Sequence, residues 1–115
     1  MDNCIFCSIA EGKIPAKIVY SDDQVLAFQD IHPAAPTHIL IIPRKHIESV
    51  NTLQADDAAL VGHMVVTAGM LAKQEGIEHS GYRLVINTGP DAGQTVFHIH
   101  LHILGGRKMP FRFDE

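Results

Sequence analysis

The chain has 115 residues, the usual size of one domain, and 46% of them are hydrophobic and 19% charged. This composition is typical of globular proteins and excludes a disordered or fibrous chain. A formal net charge of −4 argues against a surface for nucleic acid, because such a surface needs clustered Lys and Arg. We therefore expect one domain over residues 1–115 and no nucleic-acid partner.

The sequence shows no segment suited to a bilayer. Even the apolar run at residues 39–42 is far shorter than the roughly 20 residues that cross a membrane. The N-terminus lacks the basic-then-apolar pattern of an export signal. These observations predict a cytoplasmic protein with no membrane partner.

The first half of the chain predicts one short helix and three strands. Residues 5–11 are expected to form the helix, and a hairpin follows with strands at 17–20 and 24–29 around a short polar turn. Residues 30–36 contain two prolines and predict a loop. A buried strand is expected at 38–42, with alternate side chains on opposite faces.

The second half predicts one long helix and two strands. Leu60, Met64, Thr67 and Leu71 share one face of a helix over residues 56–75, and Val61, Val65 and Ala68 widen that face. Strands are expected at 82–87 and 96–104. This order of elements favours an α+β fold with a mainly antiparallel sheet over a parallel βαβ design.

Three histidines alternate with apolar residues in the last predicted strand. His98, His100 and His102 would form one row of imidazoles, while Phe97, Ile99, Leu101 and Ile103 would face the core. Such a row can bind a metal, or one imidazole can attack phosphorus while its neighbours hold phosphate oxygens. It can also be the solvated face of an amphipathic strand, but the strict alternation favours a function.

Other polar residues support a site near this row. His38 would approach it if the two strands are neighbours, although a polar residue at a strand entrance is an alternative. Asn87 and the glycine-containing loop at 89–95 can hold a phosphate, or can form an ordinary hairpin loop. Asp30 follows a strand and can accept hydrogen bonds from ribose hydroxyls, or can cap a turn.

The two cysteines, Cys4 and Cys7, have the spacing that lets both thiolates reach one tetrahedral zinc. Two ligands do not complete such a site, so two more must come from elsewhere in the chain. Reduced free thiols are the alternative, whereas a disulfide across this short spacing would stabilise the fold little.

These residues resemble the histidine triad family, whose signature alternates three histidines with apolar residues. The resemblance extends to further motifs in the same order, namely Ile14-Pro15-Ala16-Lys17, Leu26-Ala27-Phe28, Ala35-Pro36-Thr37-His38, Ile42-Pro43-Arg44-Lys45-His46-Ile47, Gly81-Tyr82-Arg83, Gly93-Gln94 and Leu104-Gly105-Gly106-Arg107. The chain is most similar to the Hint branch, whose members act as nucleoside phosphoramidases.

The resemblance implies a five-stranded, mainly antiparallel sheet with one long helix and a short N-terminal helix, and a homodimer. It implies that His100 is the nucleophile, in the tautomer that a backbone carbonyl fixes. His102 and His38 then lie beside the phosphate, and Thr95 places a hydroxyl near the leaving nitrogen. The expected reaction converts a purine nucleoside phosphoramidate to the monophosphate and an amine through a nucleotidyl-histidine.

The resemblance also implies the ligand sites. The residues expected to bind the nucleotide are Phe6, Ile9, Phe28, Asp30, Ile31, Leu40, Asn87, Gly93, Gln94, Thr95, His100 and His102. Relatives with a cysteine pair complete a zinc site with histidines that match His46 and His98. A zinc ion held by Cys4, Cys7, His46 and His98 would be structural, because no position remains for water, and the chemistry would not need it.

Three other functions remain open at this point. The chain can be a non-catalytic nucleotide-binding protein, a zinc hydrolase that uses the three row histidines, or a dinucleoside polyphosphate hydrolase or nucleotidyl transferase of a neighbouring branch. The tail at residues 110–115 departs from the family pattern. In the family this region lies near the leaving-group side of the partner's pocket, so the acceptable amines are not defined by the resemblance.

Overall fold

The structure is a computed structural model that describes residues 3–110. Its helices and strands are α1 (Ile5–Ala10), β1 (Ile18–Ser21), β2 (Val25–Gln29), β3 (Thr37–Pro43), α2 (Ala58–Gln74), β4 (Tyr82–Val85) and β5 (Leu101–Gly105). Short 3-10 turns lie at Val50–Thr52, Ala55–Asp57 and Pro90–Ala92. Within residues 3–110, no helix is both long and apolar enough to cross a membrane.

The strands form one five-stranded sheet in the order β1-β2-β3-β5-β4. Every neighbouring pair is antiparallel. The predicted α+β architecture, with one long helix and a short N-terminal helix, is confirmed. Because β3 and β5 are neighbours, residues that are far apart in sequence come together at the centre of the sheet.

The sheet is covered differently on its two faces. Ile39 and Ile41 of β3 pack with Met64 and Leu71 of α2 in one buried cluster. The intervening residues of β3, represented by Leu40, point to the opposite face. There a second cluster forms from α1 and β2, with Phe6, Ile9, Leu26, Phe28, Leu40 and Ile42. This second face carries the candidate site.

The long helix is shorter than predicted. Residues 55–57 form a 3-10 turn, and α2 begins at Ala58. The carboxylate of Asp57 accepts the backbone N–H of Gln54 at 2.9 Å and pairs with Lys45 at 2.7 Å, so it caps the turn that precedes the helix. The prediction that Val65 faces the core is wrong, because this side chain is 46% exposed.

The last strand was predicted at residues 96–104, but β5 is shorter and spans Leu101–Gly105. Upstream, the Ile99 N–H donates to the carbonyl of Ile47 at 2.7 Å, and the His98 carbonyl accepts from the His100 ring. These bonds replace a regular ladder and bend the chain. Phe97 is 48% exposed, so its predicted core position is wrong. Strand β4 likewise ends at Val85 instead of residue 87.

Candidate active site

A cavity of about 390 Å³ lies on the sheet face opposite α2. All residues predicted to bind the nucleotide line it, except Gln94. They are Phe6, Ile9, Phe28, Asp30, Ile31, Leu40, Asn87, Gly93, Thr95, His100 and His102. The family resemblance therefore indicated most of the residues in this wall. The hydrophobic periodicity of the sequence did not indicate them.

The ring of His100 is fixed by a backbone carbonyl. Its Nδ1 lies 2.8 Å from the oxygen of His98, and a carbonyl oxygen only accepts, so Nδ1 carries the proton and donates it. In the neutral ring, Nε2 then keeps a free lone pair. His100 is buried and lines the cavity, with the edge of Phe6 packed against it at a centroid distance of 5.1 Å. This is the tautomer that a nucleophilic imidazole requires.

The ring of His98 does not face this cavity. Its Nε2 donates to the carbonyl of Pro43 at 2.7 Å, and its Nδ1 lies 3.3 Å from the Cys4 sulfur. The predicted row of three imidazoles is therefore wrong for His98, whose ring lies outside the row. The bend at residues 96–100 turns His98 toward the N-terminal segment, while its carbonyl still holds His100.

His38 and His102 lie on adjacent strands and contact each other. Leu40 pairs with His102 and His38 with Leu104, so the two imidazoles are diagonal neighbours on one face. The backbone N–H of Ala34 donates to His38 Nδ1 at 3.0 Å, so the His38 proton must be on Nε2. That N–H donates to His102 Nδ1 at 2.9 Å. The chain of bonds leaves the His102 proton on Nε2.

This N–H of His102 is a donor without an acceptor. Among the described residues, His102 Nε2 is buried and has no hydrogen-bond partner. Burial, aided by the nearby His100 and His38, lowers the pKa of His102 to about 4, so the ring is neutral at neutral pH. An unpaired buried N–H costs free energy, and a ligand oxygen in the cavity can satisfy it.

The loop before β3 is held in place from two sides. Asp30 Oδ1 accepts the backbone N–H of His32 at 2.8 Å, and the Arg107 guanidinium donates to the carbonyl of Ala34 at 3.0 Å. Gly106 has a φ of +93°, and a Cβ there would lie 2.8 Å from Pro36 Cβ. A glycine is thus required where the end of β5 passes the loop. These contacts position the Ala34 N–H that fixes the His38 tautomer.

Asp30 caps a turn, which is one of the two roles that its sequence position suggested. One carboxylate oxygen caps the turn at His32, and the residue also lines the cavity. Its Oδ2 lies 3.5 Å from His38 Nε2. This second oxygen is therefore positioned beside the imidazole pair at the cavity wall.

The apolar wall of the cavity is buried on one side and exposed on the other. Phe6 and Phe28 are buried and meet edge to face at 5.5 Å, together with Ile9 and Leu40. Ile31 is 85% exposed at the edge of the cavity. A flat apolar ligand that covered Ile31 would remove this surface from water.

Gln94 braces the loop after β4 through hydrogen bonds of its side-chain amide. The Gln94 amide donates to the carbonyls of Glu48 and Val96 and accepts the N–H of Gly89, so its polar atoms are occupied. Gln94 is buried and does not line the cavity, and its predicted contact with the ligand stays a prediction. The residues on either side of Gln94, Gly93 and the exposed Thr95, line the cavity wall.

A second group of side chains surrounds a possible metal position. Donor atoms of Cys4, Cys7, His46 and His98 all lie within 4.8 Å of one another. The Cys7 sulfur is 3.3 Å from His46 Nδ1 and 3.5 Å from His98 Nδ1. Ligands of a tetrahedral zinc are separated by roughly 3.3–3.8 Å, so two thiols and two imidazoles fit this ion.

The protonation of these groups also fits a metal. Because the His98 Nε2 proton is held by the Pro43 carbonyl, its Nδ1 lone pair points at the sulfurs, as in many zinc sites. Burial lowers the pKa of His98, which favours the neutral ligand form. Burial and the adjacent Cys4 raise the pKa of the Cys7 thiol to about 11, so an ion must displace its proton.

Geometry argues against a catalytic metal on the histidine row. The His98 ring is directed to the cysteines and His100 Nδ1 to a carbonyl, so these two and His102 do not form a cluster among the described residues. Asp30, His38 and His102 do lie close together. However, His38 Nδ1 accepts from Ala34, so its Nε2 carries a proton and cannot bind a metal at the same time.

Several cavity residues were not predicted to bind a ligand. They are Ile5, Ile14, Pro15, Ala16, Gln29, His32 and Val96. Residues 14–16 belong to a quoted family motif, which is the signal that could have indicated them. Of the tail at residues 110–115, which was expected to depart from the family pattern, residues 111–115 lie outside the described residues.

Comparisons with known proteins agree with this geometry. The HIT domain family matches residues 11–109. The chain is 50% identical over 108 residues to the purine nucleoside phosphoramidase of Escherichia coli K12, covering 94% of this chain and 91% of that protein.

Solved structures show the same fold. A HIT family hydrolase from Legionella pneumophila is 52% identical with a TM-score of 0.94, over 95% of this chain and 97% of that one. A zinc-bound histidine triad family protein from Mycobacterium smegmatis is 34% identical with a TM-score of 0.81, over 98% of this chain and 84% of that one. The chain therefore belongs to the HIT domain family.

Proposed function

We propose that this chain hydrolyses purine nucleoside phosphoramidates of the adenosine 5′-phosphoramidate type, with His100 as the nucleophile. The observation that carries the proposal is the His100 ring, which donates from Nδ1 to a backbone carbonyl and lines the cavity together with Asn87 and Gly93. The 50% identical relative from Escherichia coli carries the name of this activity.

The reaction proceeds in two displacements. The lone pair of His100 Nε2 forms a bond to phosphorus, and the electrons of the substrate's P–N bond leave with the amine, which takes up one proton. Water then attacks the nucleotidyl-imidazole and gives back a proton. The bond between phosphorus and His100 breaks, and the monophosphate and the original ring are restored.

The neighbouring groups stabilise the reacting phosphate. The unpaired Nε2–H of His102 donates to a phosphoryl oxygen, and His38 keeps His102 in the required tautomer. Thr95 supplies a hydroxyl for the departing nitrogen. Asn87 and the backbone around Gly93 add donors on the opposite wall.

The nucleoside occupies the remainder of the cavity. Its base packs between the buried Phe6 and Phe28 cluster and the exposed Ile31, which explains why this isoleucine can remain at the surface. The carboxylate oxygen of Asp30 that does not cap the turn accepts from the ribose hydroxyls. Apolar stacking of this kind binds purine bases but distinguishes poorly between adenine and guanine.

Replacement of His100 tests the nucleophile. We expect His100→Ala to lower kcat on adenosine 5′-phosphoramidate by about 10³-fold or more, because the covalent step is lost. Binding of AMP, measured by calorimetry, should persist because the rest of the wall remains. His100→Gln should behave in the same way and guards against a packing defect.

The control is His79→Ala, because His79 has an almost fully exposed side chain and does not line the cavity. It should keep normal turnover. Substantial turnover by either His100 variant would contradict the proposal, and a wild-type protein that binds AMP without any turnover would indicate a binding protein.

We also infer that Cys4, Cys7, His46 and His98 hold a structural zinc. The support is the donor set and its spacing, together with a zinc-bound family member from Mycobacterium smegmatis. The ion would tie α1, which carries Cys7 and the cavity residue Phe6, to the segment that precedes β5. Four protein ligands leave no site for substrate, so the ion would supply stability rather than chemistry.

Loss of a thiol tests this site. We expect Cys7→Ser to reduce bound zinc from about one ion per chain to nearly none by elemental analysis, and to lower Tm by about 10 °C. Ser8→Ala, at the next position of α1, should keep the ion. Wild-type protein that retains no zinc after dialysis against it would contradict the inference.

We infer that two chains pair through the β4 edge. Strand β4 ends the sheet, and all four of its residues are only partly buried. Val66 on α2 is 72% exposed, and one turn later Gly69 lies beside the hydroxyl of Tyr82 in β4. An apolar helix surface next to an unpaired strand edge favours association of two copies.

Sedimentation tests this pairing. The wild-type chain should sediment as a dimer, and Val66→Lys should shift it toward the monomer, because a charge would enter an apolar contact. Val50→Lys changes another exposed valine, which is 43% exposed and lies outside α2, and should leave the dimer intact. A monomeric wild-type chain at micromolar concentration would disprove the pairing.

A further inference from the structure

A second cavity, of about 520 Å³, adjoins the first. The two cavities share Ile5, Thr95 and Val96 in their walls. No ligand has been proposed above for the space in this second cavity. Its position next to Thr95 makes it accessible to a group attached to the phosphorus.

The positions of the two cavities define which part of a substrate can enter the second cavity. Asp30 and Ile31 line only the first cavity, where the ribose and base are proposed to bind. Thr95 ends the loop at which the phosphate is proposed to bind, and it lies in both walls. A substituent that leaves the phosphorus past the Thr95 hydroxyl therefore extends into the second cavity.

The walls of the second cavity combine apolar surface with one carboxylate. Phe97 and Ile5 are each about half exposed, and they present apolar surface that no core contact uses. Glu48 is the one acidic residue among the described residues of this wall. The other titratable groups there are Cys4 and His46, which belong to the proposed metal site.

The position of Glu48 is fixed by its backbone. The Gln94 amide donates to the Glu48 carbonyl at 2.8 Å, and the preceding residue, Ile47, accepts the N–H of Ile99 at 2.7 Å. The side chain itself is exposed and has no hydrogen bond or ion pair among the described contacts. Its charge is thus held beside the cavity and is free to meet a cation.

We propose that this second cavity binds the departing amine, and that Glu48 selects amines that carry an additional positive charge on an apolar stem. The inference rests on the proposed phosphoramidase function and names its substrate class. Phe97 and Ile5 cover the stem, and the carboxylate of Glu48 pairs with the distal ammonium group. Amines with a distal carboxylate are disfavoured by repulsion.

Matched substrates test the selection. Adenosine 5′-phosphoramidates are compared with no substituent on nitrogen, with a butyl group, with a 4-aminobutyl group and with a 3-carboxypropyl group. For the wild-type protein at low ionic strength, kcat/KM for the aminobutyl compound should exceed that for the butyl compound roughly two- to fivefold, as expected for a solvent-exposed ion pair. The carboxypropyl compound should be the poorest of the three substituted substrates.

Charge variants assign the preference to Glu48. Glu48→Gln should remove the difference between the aminobutyl and butyl compounds, and Glu48→Lys should favour the carboxypropyl compound. Hydrolysis of the unsubstituted compound should be unchanged in both variants. Glu78→Gln removes an acidic residue that is not in this wall and should keep the wild-type ratios.

The possible failures are distinguishable. If the wild type hydrolyses the unsubstituted compound but Glu48→Gln keeps the aminobutyl preference, or if no such preference exists, the inference is overturned and the proposed function stands. If the wild type hydrolyses none of the four compounds, the proposed function fails and the inference falls with it. If the wild type prefers the aminobutyl compound, and Glu48→Gln loses this preference while Glu78→Gln keeps it, the inference and the proposed function are both supported.

Discussion

The hydrogen bond from His100 Nδ1 to the carbonyl of His98 is the interaction on which the account depends. At 2.8 Å it fixes both the proton and the orientation of the His100 ring. The His98 ring itself donates to the Pro43 carbonyl and lies beside the cysteines, so these contacts position the residue that supplies the acceptor. The candidate metal site and the candidate active site therefore share one residue, whose ring serves the first and whose carbonyl serves the second.

A second chain of hydrogen bonds sets the opposite wall of the site. It runs from Ala34 through His38 to His102 and leaves one buried N–H for a ligand. Because each acceptor dictates where the next proton lies, a single backbone N–H fixes the tautomers of two rings. The same chain of bonds occupies His38 Nε2, which is why Asp30, His38 and His102 form a hydrogen-bonded group instead of a metal site.

Periodicity predicted the helix and most of the strands because burial repeats along them. It was wrong at Phe97 and His98, where backbone hydrogen bonds with Ile47 and the His100 ring bend the chain, and a pattern of apolar residues contains no record of such bonds. The family resemblance indicated eleven of the residues that line the cavity and missed seven. It did not reveal that Gln94 braces its own loop, nor that His63 pairs with Asp22 at 2.7 Å, since both contacts depend on the folded arrangement.

Rapid quenching during turnover of adenosine 5′-phosphoramidate, followed by peptide mass spectrometry, tests the central claim most directly. The account predicts a transient adduct of AMP mass on the peptide that contains His100, localised to the His100 ring by fragmentation. An adduct on a different residue would contradict it. The account would also be contradicted if the protein turned over the substrate fully, the quench preserved phosphorus–histidine bonds, and no peptide carried an AMP adduct.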